Sequence, residues 1–160
     1  MFAEPLLYGI DPADSPSLVI ETVRRISALD IDVRKVEFPV DAGWDSDRRA
    51  WREVCQALTE ACRTPSVLLS AVVGFETFAD QVEIACQAGA SGFMAGRAIW
   101  SEVAGLQGSS QQTFLRKVAK PHFEELSRRA LRSAKPWSAA SSVSLRMPPD
   151  GWYAQYGDLA

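Results

Sequence analysis

Apolar residues recur along this chain in two alternating rhythms, one with the period of a helix and one with the density of a buried strand. Leu18, Val19, Val23, Ile26 and Leu29 repeat at helical spacing. They predict a helix that starts at Asp14 or Ser15, carries Pro16 in its first turn and runs to about Ala28. Trp51, Val54, Cys55, Leu58 and Cys62 form a second stripe over about residues 47–62, broken by Thr64-Pro65. Phe78, Val82, Ala85 and Cys86 form a third over about 75–88, with Gly89 as its stop. A short helix is expected from Gly96-Arg97 toward Val103. A longer one over about 110–133 carries Phe114, Leu115, Val118, Leu126 and Ala130, with a kink at Pro121.

Between these stripes lie short runs dense in β-branched and aromatic residues: Glu4–Gly9, Asp32–Pro39, Ser66–Ser70 and Ser91–Ala95. The order is β-α-β-α-β-α-β-α. Strands joined by crossover helices pair in parallel, with right-handed connections. The expected fold class is therefore α/β, built on a four-stranded parallel (βα)4 unit. Periodicity leaves a doubly wound sheet and part of a barrel equally open. Residues 1–134 form the folded unit. Residues 135–160 form a Ser- and Pro-rich tail in which Trp137, Trp152, Tyr153 and Tyr156 suggest docking rather than free suspension.

Composition narrows the function classes. The chain has 160 residues, 47% apolar, and a net charge of -3. Seventeen basic against twenty acidic residues exclude the strong positive field of a non-specific nucleic-acid binder. No apolar run approaches the roughly 20 residues of a membrane span, and the first residues do not read as a signal peptide. Cys55, Cys62 and Cys86 are an odd count without metal-ligand spacing; they read as small core residues of a reduced, cytoplasmic protein. His122, the only histidine, reads as a surface or packing residue.

Four lysines stand against thirteen arginines, and one of them, Lys35, lies in the most apolar run of the first half. On a strand, residues two apart share a face, so Lys35 points with Val33 and Glu37 while Arg34, Val36 and Phe38 point the other way. A lysine beside a glutamate there reads either as an internal ion pair or as an imine-forming lysine whose neighbour orients it or relays a proton. Glu4, where strand and loop meet, reads either as an exposed carboxylate or as a general acid/base reaching the same cavity. The ends of the last two strands, Ser70-Ala71 and Ala95-Gly96-Arg97, present small residues before helix starts. Free backbone N–H groups and an arginine fork there suit a phosphate.

Three stretches, DVRKVEFP (32–39), VLLSAVVGFETF (67–78) and ACQAGASGFMAGRAIW (85–100), resemble the class I aldolases of tagatose 1,6-bisphosphate and the related sulfofructose-phosphate aldolases. The resemblance spans about residues 3–132. It implies a TIM (β/α)8 barrel, of which these four strands would be the fifth to eighth. Lys35 matches the Schiff-base lysine, Glu4 the proton-handling glutamate, and Ser70, Gly96 and Arg97 the residues that hold the phosphate or sulfonate. Ala71 joins them in the same strand-end loop, and Glu37 would orient Lys35. No metal or cofactor is implied, because an iminium serves as the electron sink. The expected partner is a small phosphorylated or sulfonated sugar. Two departures stand out: Val72 where the family usually has glycine, and Gly74 where an acid is common. A complete barrel needs about 250 residues. The expectation is thus a half-barrel, active or inactive as a truncated unit, that self-associates or meets a complementary half.

Overall fold

In the computed structural model, residues 2–71 and 73–140 are described. Val72 and most of the aromatic tail lie outside them, so the expectations for both fall outside the described residues. Four strands, β1 (Phe2–Ala3), β2 (Val33–Val36), β3 (Ser66–Leu69) and β4 (Phe93–Met94), form one parallel sheet in the order β1-β2-β3-β4. Helices α1 (Ser15–Ile26), α2 (Arg48–Ala61) and α3 (Phe75–Gln87) make the crossovers. A doubly wound sheet reverses its strand order at a switch point. This sheet runs in unbroken order, which is consistent with part of a TIM barrel.

The two faces of the sheet differ. Val36, Phe38, Leu68 and Phe93 meet the helices: Val36 packs with Val19, Val23 and Leu58, and the others join Trp51, Phe78, Val82 and Leu126. Phe38 meets Trp51 edge-on at 5.0 Å, and the Trp51 indole N–H is satisfied by the Asp45 carbonyl at 2.9 Å. The alternate residues Lys35, Glu37, Leu69 and Met94 face an open cleft instead.

The first strand is displaced from its expected place. Phe2–Ala3 form it, and Glu4–Gly9 are the loop that follows. Pro5 has no N–H for the ladder. The Leu7 N–H donates to the Glu37 carboxylate at 3.1 Å, and Gly9 turns the chain with φ +66°. The single long helix is also divided. Helix α4 (Arg97–Trp100) runs into a 3-10 turn (Ser101–Gly105). Then α5 (Gly108–Phe114) and α6 (Lys120–Leu131) flank a π-helical turn over Leu115–Ala119. Pro121 cannot donate its i→i−4 hydrogen bond, and the wider turn just before it absorbs that loss. Arg129 secures α6 to α3 through Asp80 at 3.0 Å and Glu83 at 3.4 Å. Among the described residues no helix is long and apolar enough to cross a membrane.

Candidate functional site

Parallel register assembles the first part of the site. Phe2 pairs with Val33 and Ala3 with Arg34, so Glu4 leaves β1 level with Lys35 and on the same face. Lys35 Nζ donates to Glu4 Oε2 at 2.9 Å. The ion pair expected between Lys35 and Glu37 is thus replaced by one with Glu4. Glu37 is held instead by the Leu7 N–H, which draws the β1–α1 loop toward the cleft. Lys35 is mostly covered and Glu4 more open, at 24% and 41% side-chain exposure. The pair stands in a wall of the cleft rather than in the core.

The second part comes from the ends of β3 and β4. Gly96 N–H donates to the buried Ser70 Oγ at 3.1 Å and ties the two strand ends together. Arg97 opens α4, which is only four residues long. A macrodipole there is small, so the capacity to hold an anion rests on the guanidinium and on loop groups rather than on a helix end. Gly96 has φ -134°, outside the left-handed region; the Trp100 ring lies 3.5 Å from where a Cβ would stand.

Glu4, Lys35, Glu37, Ser70, Ala71, Gly96 and Arg97 all line one open cleft of about 730 Å³ at the C-terminal ends of the strands. The seven residues read from the sequence as catalytic or phosphate-binding are therefore brought together in one cleft. Further lining residues that the sequence did not single out include Leu6, Tyr8, Met94, Trp100 and Phe123. Leu6 and Tyr8 were hidden by assigning their segment to a strand. Phe123 stands off the apolar stripe of its helix, and that displacement was the available signal. Its ring packs edge-on against Phe93 at 5.8 Å.

The remaining sequence candidates lie elsewhere. His122 stacks on Phe75 at 3.6 Å and 8°, a packing arrangement. Cys55 and Cys86 are core residues; burial pushes their thiols up to about 12 and about 11, which keeps them neutral and unreactive. Cys62, at the C-cap of α2, is half-buried and packs against the Val19, Val23, Val36 and Leu58 cluster. Its thiol is also raised by burial, against the opposing pull of the Arg34 charge.

The cleft thus combines an amine, two carboxylates and an arginine at one end of a parallel sheet. Residues 1–102 match the profile described as DeoC/LacD family aldolase. The matched span covers all four strands and every cleft residue except Phe123. With that span covering more than half of its length, the chain belongs to the DeoC/LacD family of aldolases.

Proposed function

We propose that this chain carries the Schiff-base machinery of a class I aldolase acting on a ketose phosphate such as tagatose 1,6-bisphosphate, with its four strands as the fifth to eighth of a barrel. The observation that carries this reading is the Lys35–Glu4 pair at 2.9 Å, facing the same cleft as Ser70, Gly96 and Arg97. Glu4 takes a proton from the Lys35 ammonium, and the free amine attacks the substrate carbonyl carbon. Water leaves and an iminium forms. Removal of the proton from the hydroxyl β to that iminium breaks the adjacent carbon–carbon bond. The electron pair moves into an enamine and an aldehyde departs. Protonation of the enamine and hydrolysis release dihydroxyacetone phosphate and restore Lys35. In this reading Glu4 carries these proton transfers, Glu37 orients the loop and the lysine, and Arg97 holds the phosphate with the Ser70-Ala71 and Gly96 backbone.

The test is borohydride reduction in the presence of dihydroxyacetone phosphate. A stable adduct on Lys35, absent from Lys35→Met, is expected. A folded sample that yields no adduct overturns the reading.

A second reading follows from the uncovered face. Phe2 on β1 and Met94 on β4, the two edge strands, are exposed, as is Phe123 beside β4. Unpaired edges bordered by apolar side chains favour association with another sheet. We therefore also propose a complementary four-strand unit, or a second copy of this chain, as the partner that closes the cleft. Sedimentation velocity that finds only monomer across a wide concentration range rejects the second-copy form.

A further inference from the structure

At the opposite end of the sheet, the segments entering β3 and β4 form a second cavity of about 340 Å³. Arg63, Thr64, Ser66, Ser91 and Lys135 line it, and among the described residues its lining contains no carboxylate. Arg34 stands behind that lining. Its register partner is Ser66, its N–H donates to the Pro65 carbonyl at 2.9 Å, and its Nη1 donates to Thr64 Oγ1. The side chain is fully buried, and Nε and Nη2 have no hydrogen-bond partner among the described residues. Neither Arg63 nor Lys135 has an ion pair among the described residues either.

Arg63 and Lys135 therefore line the cavity and the buried Arg34 stands behind it, none of the three with an ion pair among the described residues. A buried guanidinium without an anion is costly, and an anion nearby relieves it. The Thr64 hydroxyl accepts from Arg34, so its own proton is free to be donated away from Arg34. Gly89, with φ +111°, leaves room for Lys135: a Cβ there would stand 3.3 Å from Lys135 Nζ.

We propose that this cavity binds a phosphate-type oxyanion, free or as a monoester, with Arg63 and Lys135 as direct ligands and Thr64 as hydroxyl donor. Arg34 supplies positive potential from behind them. The site lies at the N-terminal ends of the strands, away from the cleft, and does not depend on the aldolase reading.

Amide NMR of the full chain separates the two sites by location. Inorganic phosphate, titrated at constant ionic strength, is expected to shift the Thr64, Gly89 and Ser91 amides saturably, with half-saturation at about 1 mM. The double variant Arg63→Ala, Lys135→Ala alters only exposed side chains and retains the fold. It is expected to weaken this response about tenfold. Arg34→Met, which keeps the volume, weakens it as well. Repeating the titration with glycerol 2-phosphate identifies the source: tighter binding than inorganic phosphate marks a monoester site, and weaker binding marks a site for free phosphate. Shifts confined to Gly96 and Arg97, or an unchanged response in the double variant, overturn the proposal.

Discussion

Glu4→Gln separates a structural role for the Lys35–Glu4 pair from a chemical one. The substitution keeps the size of the side chain and removes its charge. At 2.9 Å the Coulomb attraction is about 1.4 kcal/mol in a water-like dielectric. Both side chains are partly exposed, and such pairs retain only about 0–1 kcal/mol after desolvation and side-chain ordering. The urea midpoint should therefore move little. The chemistry should respond far more, because a positioned acid/base contributes about 100- to 10,000-fold. The assay is deuterium exchange into dihydroxyacetone phosphate, followed by proton NMR. It reports conversion of iminium to enamine and needs no aldehyde partner. Glu4→Gln should still yield the borohydride adduct on Lys35 while losing exchange by that factor. Undiminished exchange would refute the role of Glu4. A stability loss above about 2 kcal/mol would refute the argument that the pair is energetically minor.

Three further outcomes test the fold that holds the site. Leu126 is fully buried between α6 and the rest of the core, so Leu126→Ala should cost about 2–5 kcal/mol by chemical denaturation and loosen α6, which carries Phe123. Gly89→Ala should destabilise by about 1–3 kcal/mol, because φ is +111° and the new Cβ would lie 2.9 Å from Thr59 Cγ2; an unchanged melting temperature would contradict this. Cys55 and Cys86 are raised from 9.0 to about 12 and about 11, so the unfolded chain ionises first. Their contribution is fully present below about pH 9 and is lost as pH rises toward those folded values. The loss is about 1.4 kcal/mol per pH unit for each thiol. Urea midpoints at pH 8 and pH 10 should therefore fall less steeply in Cys55→Ala than in the parent chain.

The parts of the architecture that were legible in the sequence are those set by local periodicity. The stripes around Trp51, Phe78 and Leu126 mark their helices because each buries one face against the same side of the sheet. Alternation along β2 also assigned Lys35 and Arg34 to opposite faces, and the structure keeps them there. What escaped was decided at longer range. Whether Lys35 meets Glu37 or Glu4 depends on the register of β1 against β2, which no pattern within either strand encodes. The assignment of Glu4–Gly9 to a strand failed because its apolar residues Leu6, Leu7 and Tyr8 are not spent on a ladder. Pro5 stops the pairing, and Leu6 and Tyr8 face the cleft. The π-helical turn at Leu115–Ala119 was invisible for a similar reason. A helical stripe does not reveal an extra residue in one turn unless the position of Pro121 is weighed against it.

Register also explains why the Lys35–Glu4 pair cannot drift. Side chains alternate with period two, so slipping β2 by one residue would carry Lys35 and Glu37 into the apolar helix layer and place Val36 and Phe38 in the cleft. That exchange would bury Lys35 and Glu37 in place of Arg34 and expose residues that now pack with Val23, Leu58 and Trp51. The penalty is of the order of several kcal/mol, comparable to a large share of a domain's total stability. The same packing that fixes the helices against one face therefore fixes Lys35 opposite Glu4 on the other. Arg34, adjacent in sequence, is carried by the same alternation away from the cleft to the helix side. There it is left without a carboxylate partner among the described residues. One strand thus carries two cations to different surroundings, one paired with a carboxylate beside the cleft and one whose counter-charge the phosphate titration is designed to find.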